Sequence, residues 1–215
     1  MSALIPLFPL QIVVFPGEKL PLHVFEERYR ELVKDCRDGK QSFGIPTVID
    51  GSLGYGSELY IEEVSREYPS GRYDIVCRAG RAFKLLEFVN PVPGKRYAGG
   101  VLEYLENVPD GLDTQRERVI VLLQTLYEEI GVDNTIPGIA DFDTFTYAHK
   151  VGFNLKEEYL LLQMTSEADR LDHMERHLQR IIPVIRQVNA TKKMIQMNGH
   201  FRNYDPLDFK DFKLS

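Results

Sequence analysis

Two histidines one helical turn apart, His173 and His177 in the string HMERH, are the pair in this sequence best spaced for metal chemistry. At i and i+4 they share one helix face, and two imidazoles on one face are a usual start to a zinc site. A hydrolytic site of that kind reads His-Glu-x-x-His, so that the glutamate can act on a metal-bound water. Here Glu175 sits two residues on and points elsewhere. Asp169 extends the row by one turn, but Arg176 and Arg180 flank it and disfavour a bound cation. The row also lies off the apolar stripe of its helix. The reading is a solvated polar face with no metal.

The other reactive side chains are more scattered. His149 follows Phe145 in a short helical segment and reads as a histidine packed at an edge. His23 lies in the strand-like run LPLHV, with no serine or cysteine placed by sequence as its nucleophile. The Gly-rich string GSLGYGS leads into the strand-like ELYIEEV, so it lacks the helix N-terminus that would hold phosphate, and it reads as a loop. The strings GEKL, DGKQ and PGKRY all lack the Gly-x4-Gly-Lys-Ser/Thr pattern of a nucleotide-binding loop. Carboxylates at Glu62–Glu63 and Glu128–Glu129 read as strand or helix surface. No cofactor is expected.

One string carries basic and aromatic residues together. RYDIVCRAGRAFK places Arg72, Arg78, Arg81 and Lys84 near Tyr73 and Phe83, with a turn expected at Gly80. Against nucleic acid stands the whole chain, with net charge −6 and pI near 5.5. No global field attracts a polyanion, and acidic neighbours abound around the string.

The elements that must position these groups divide the 215 residues into a β-rich and a helical half. Leu4 to Val33 opens with prolines between short apolar runs. Proline costs no ladder bond at strand starts, edges and bulges, so ALIPLF, QIVVF and KLPLHV read as three short strands with blunted edges. Phe25, Tyr29, Leu32 and Val33 then recur at helical spacing up to a stop at Gly39. SFGIPTVI, SELYIEEVSREY, RYDIVCRA, RAFKLLEFV and YAGGVLEYLE follow as strands, with a turn at Pro69-Ser70-Gly71. After Asp113, read as an N-cap, Val119, Leu122, Leu123, Leu126 and Ile130 form a helical stripe ending at Gly131. A short helix over DTFTYAHKV comes next. Asn154 and Glu157 form a capping box, and Ser166 caps the last helix, whose seam runs through Leu171, Met174, Leu178, Ile181, Ile185 and Val188. Pro183 is expected to kink it.

The opening stretch resembles the N-terminal, substrate-binding domain of the Lon protease family. The residues that carry the resemblance are Pro6-Leu7-Phe8-Pro9-Leu10, Val13-Val14-Phe15-Pro16-Gly17, Leu20-Pro21-Leu22 and Phe25-Glu26-Glu27-Arg28-Tyr29. The order of elements fits as well, through IVCRAGRAFKLLEF to LKEEYLLLQMTSEADRLDHM, so the resemblance covers roughly residues 3 to 190. It implies an α+β fold: a PUA-like β-subdomain of about six strands with one helix, then an all-α bundle. In the family this module feeds unfolded or damaged polypeptide to an ATPase ring and a serine–lysine protease, neither of which this sequence contains. The resemblance therefore implies a stand-alone, non-catalytic module, and a peptidase label would belong to its larger relatives.

The expected division is a β-rich subdomain over 1–112, a helical subdomain over 113–197 and an extended aromatic tail over 198–215. The expected function is recognition of unfolded polypeptide or a protein partner in quality control, in which a separate protease is a conceivable second partner. Tyr55, Tyr60, Tyr68 and Tyr73, in loop and hairpin positions, are the candidate binding residues. The PUA-like fold makes RNA binding the natural rival, and an enzyme with its site in the cleft between the halves is a third reading. Cys36 and Cys77 are the only cysteines, which points to a reduced cytoplasmic setting. No basic n-region opens the chain and no long apolar run suggests a membrane span. The tail offers Phe201, Tyr204, Leu207, Phe209, Phe212 and Leu214, and Pro206 blocks a helix through it. It is expected to dock on its own domain, or on a neighbouring copy to give a homodimer.

Overall fold

The prolines of the first segment do cut it short, and more severely than the apolar pattern suggests. A computed structural model describes residues 4–133 and 135–201, the side chains of 198–201 excepted. Strand β1 is only Ile5–Leu7, and QIVVF is not a strand. Val13, Val14 and Phe15 are instead all buried in an irregular wedge between the two halves of the molecule. Val14 joins the core under the sheet, whereas Val13 and Phe15 pack on the helical half. Side chains satisfy the wedge's backbone: Ser57 Oγ donates to the Val14 carbonyl at 2.5 Å, and Phe15 N–H donates to Glu18 at 2.9 Å.

The remaining strands are β2 (Lys19–Val24), β3 (Phe43–Ile49), β4 (Ser52–Glu67), β5 (Tyr73–Val89) and β6 (Ala98–Tyr104). Strand β1 pairs in parallel with β3 and antiparallel with β6; β3–β4, β4–β5 and β5–β6 are antiparallel. These five pairings close a ring. The length of β5 makes closure possible: its first half, Tyr73 to Arg78, carries β2, and its second half, Phe83 to Val89, carries β6. A turn closed by Gly71 N–H to the Tyr68 carbonyl at 2.8 Å joins β4 to β5.

Two strand readings are corrected. GSLGYGS is not a loop but the start of β4, because a side chain at Gly56 would meet the Ile45 carbonyl at 2.1 Å. Gly56 serves close strand approach and Gly54 faces the Tyr159 hydroxyl, while Gly51, at φ 76°, belongs to the turn before the strand. Gly80 is likewise no turn, and RYDIVCRA with RAFKLLEFV is one continuous strand.

Helix α1 (Glu27–Gly39) lies on the sheet and buries Tyr29, Leu32, Val33 and Cys36, a stripe at i, i+3, i+4 and i+7. Phe25 precedes the helix and is 61% exposed, so it is not part of that stripe. The helical half comprises α2 (Asp113–Ile130), α3 (Thr144–Tyr147), α4 (Leu155–Gln163) and α5 (Glu167–Phe201). Leu112, not Asp113, is the N-cap of α2, and Gln115 reaches back to accept from its N–H at 3.0 Å. The Asn154–Glu157 capping box forms, and Ser166 Oγ accepts from Asp169 N–H at 3.1 Å as the cap of α5. Leu171, Met174, Leu178 and Ile182 of α5 are buried, whereas Val188 is 45% exposed.

One cluster crosses the boundary: Val13, Phe15 and Ala82 from the β-rich half pack on Phe145, Ala148, Leu161 and Leu162 from the helices. At about 2 kcal/mol for each large side chain, this shared core fastens the halves together. No described helix is long and apolar enough to cross a membrane. The expected tail at 198–215 falls outside the described residues, apart from the backbone of α5 to Phe201.

Candidate functional site

Where β6 ends, the chain runs along the helical half, and Val108 pairs with Ser166 in an isolated parallel bridge. A cleft of about 490 Å³ opens beside this crossing, between the two halves. Its apolar lining comes from both sides: Ala82 and Leu105 from the β-rich half, Phe145, Leu162 and Met164 from the helices. Two arginines supply most of its charge.

The first arginine is structural. Arg170 is 1% exposed, and its guanidinium lies 4.3 Å from the Phe145 ring centre. Glu167, one turn back on α5, accepts from its Nε at 2.8 Å, and the Met164 carbonyl accepts at 2.7 Å. Asn107 accepts a further bond at 2.5 Å. Glu167 is itself buried and accepts from Thr144 Oγ1 at 2.6 Å. Every charge of this buried pair is matched, as burial of ions requires.

The second arginine is open to solvent, with 61% of its side chain exposed. Arg81 projects from β5 and places its guanidinium 3.7 Å from the centre of the Tyr104 ring. Tyr104 comes from β6, and its hydroxyl donates to Glu58 Oε1 at 2.9 Å. Burial, and then that bond to a carboxylate, push the Tyr104 hydroxyl up to about 12. Tyr60 stands beside this group, its ring laid across Gly80; any side chain there would meet the ring at 2.9 Å.

The four candidate tyrosines do not form one site. Tyr60 is 48% exposed and stands next to the cleft through Gly80. Tyr55 faces Tyr159 of α4 edge-on at 5.9 Å, and its N–H donates to the Tyr159 hydroxyl at 2.9 Å. Tyr68 donates to Asp74 at 2.7 Å, with Arg66 and Arg72 over its ring. Tyr73 is 7% exposed and belongs to the core under the sheet.

His173 and His177 are packed rather than solvated. His177 is 5% exposed, its Nε2 donates to the Val151 carbonyl at 3.0 Å, and its ring lies 4.2 Å from Phe153. His173 stacks on the same Phe153 at 5.5 Å, and burial, then Arg176, lowers its pKa. This corrects the reading of that row as a polar face: the turn at Val151–Phe153 packs onto it. Among the described residues, no group of three His, Cys, Asp or Glu side chains is placed to hold a metal. His23 Nδ1 lies 2.5 Å from Asp74. Half of the basic string is neutralised: Arg78 pairs with Glu62 and Arg81 with Glu58, while Arg72 donates to Ser70 Oγ and Lys84 is exposed. Glu58, Tyr104 and Arg170 are not marked in the sequence: Glu58 stands between Ser57 and Leu59, and nothing local announces its burial.

The sequence model of the ATP-dependent protease La (LON) substrate-binding domain matches residues 4–180 of the chain. Among solved structures, the Lon N-terminal domain protein from Xanthomonas campestris is similar at 28% identity and a TM-score of 0.63. That match covers 80% of this chain and 96% of the other. The N-terminal domain of the Mycobacterium avium complex Lon protease shares the fold at 12% identity, with a TM-score of 0.60, over 82% of this chain and 98% of that one. No curated protein matches the chain.

Proposed function

The chain belongs to the Lon substrate-binding domain family, and from that membership we propose that it is a non-catalytic module that grips unfolded polypeptide in protein quality control. The grip is the cleft between the halves. One observation carries this reading: the cleft draws apolar side chains from both halves, yet its described lining holds no serine, cysteine or histidine. Such a lining can bury the side chains of an extended segment but offers no serine or cysteine nucleophile with a histidine base. Of the tyrosines singled out in the sequence, Tyr60 is the one that stands where a bound chain would pass. Neutralised arginines weigh against RNA, because phosphate binding needs unpaired cations.

The test is fluorescence anisotropy with a permanently unfolded reporter polypeptide and its folded counterpart. Only the unfolded form binds, and moderate salt leaves the affinity nearly unchanged, since apolar burial is not screened. Met164→Glu puts a charge into the lining and weakens binding about tenfold. Equal affinity in Met164→Glu, or binding abolished by salt and by competing RNA, contradicts the reading.

A further inference from the structure

The wall of the cleft hides a carboxylate that is only half satisfied. Glu58 is 3% exposed, within a run of four buried residues on β4. Its Oε1 accepts from Ser42 Oγ at 2.7 Å and from Tyr104 Oη at 2.9 Å. Its Oε2, equally buried, meets no donor at good hydrogen-bonding geometry, although the Tyr60 hydroxyl stands close enough that, after burial, the carboxylate raises its pKa. The nearest cation is Arg81, with Nη2 3.5 Å from Oε2. That is an ion-pair distance and too long for a good charge-assisted hydrogen bond. Native structures rarely leave a buried acceptor in this state, and each case calls for an explanation.

Resting on the polypeptide-binding reading, we propose that Glu58, Tyr104 and Tyr60 form a socket for one cationic side chain of the bound chain, arginine in preference to lysine. Arg81 is the resident stand-in that the incoming side chain displaces. The socket has the parts a guanidinium uses: an aromatic face to stack on and a buried carboxylate oxygen that no donor meets at good geometry. A lysine ammonium, a point charge, would use the oxygen but gain less from the ring. Arg81 shows the fit and also why it is replaceable. Its side chain is mostly exposed and its ion pair is long, and the stacking on Tyr104 that it gives up is the contact the incoming guanidinium takes over. Ser42 and Tyr104 meanwhile hold the carboxylate in place whichever guanidinium is present.

The experiment uses two unfolded peptides, identical except that one arginine is replaced by citrulline, which keeps the shape and removes the charge. Wild-type protein should prefer the arginine peptide about threefold, and Arg81→Ala about tenfold, since its socket is vacant. Arg81→Ala combined with Glu58→Gln should show no preference; the glutamine oxygen retains the Ser42 and Tyr104 bonds, which protects the fold. Methylguanidinium, titrated while tyrosine ring resonances are followed by NMR, is a second probe. Saturable binding to Arg81→Ala and none to the double variant supports the socket even where neither peptide binds, in which case only the polypeptide reading falls. Equal affinity of Arg81→Ala for both peptides, together with no methylguanidinium binding, overturns the socket.

Discussion

The imidazole of His149 meets the Glu18 carboxylate at 3.2 Å, across the boundary between the helical half and the β-rich half. Its other nitrogen lies 2.7 Å from Glu158 of α4, and its ring packs 4.8 Å from Phe15 of the wedge. With a carboxylate at each nitrogen both must donate, so the ring is held as the cation. The Glu18 bond, offsetting the cost of burial, and then the Glu158 bond raise its pKa to about 9. Because the folded value lies above the unfolded one, the clamp's stabilisation is complete below about pH 6.5 and fades as pH rises through about 9. The site is more than a third open to solvent, so the effect is modest. His149→Gln should lower the melting temperature by about 3 °C at pH 6, matching roughly 1 kcal/mol, and by much less at pH 10. A gap that stays constant with pH would show that His149 acts through packing alone.

Arg170 and Glu167 predict a larger effect. Removing the guanidinium by Arg170→Ala leaves Glu167 buried and unpaired, at about 3–5 kcal/mol. Calorimetry should show a fall of about 10 °C in melting temperature. The double variant Arg170→Met with Glu167→Leu should recover part of it, limited by the loss of the Thr144 bond. A single variant that melts like wild type would mean the pair is not buried as described.

Cys36 and Cys77 share the core between α1 and the sheet, and burial pushes both thiols up to about 12. Neither should react with a thiol-disulfide reagent in the native protein at pH 8, because the thiolate is the nucleophile and both groups are covered. Both should react on unfolding in guanidinium chloride. Native reaction at one site would reveal local opening of α1.

Features specified by neighbours in sequence were legible, and those specified by distant contacts were not. The Asn154–Glu157 box and the Ser166 cap need only the right side chains three residues apart. The stripe of α1 needs only its period. Gly80 and Gly56 misled because glycine marks a turn and a close approach alike, and only the partner, the Tyr60 ring or the Ile45 carbonyl, decides which. Glu167 and Arg170 look like an ordinary surface pair at i and i+3 until Asn107 and Phe145 cover them. Glu58 and Tyr104 are 46 residues apart in sequence, so their bond leaves no local signature. His177 looked polar because nothing near it in sequence announces that Phe153 will pack upon it.

The central claim, that unfolded polypeptide is held in the cleft between the halves, is tested most directly by site-specific photo-crosslinking. A benzophenone side chain at Glu106, which is exposed on the cleft's edge, should capture an unfolded reporter and leave its folded counterpart unlabelled. The same group at Val121, which is 58% exposed on α2 and lies outside the cleft, should capture little. Equal capture at both positions, or capture at Val121 alone, would contradict the account.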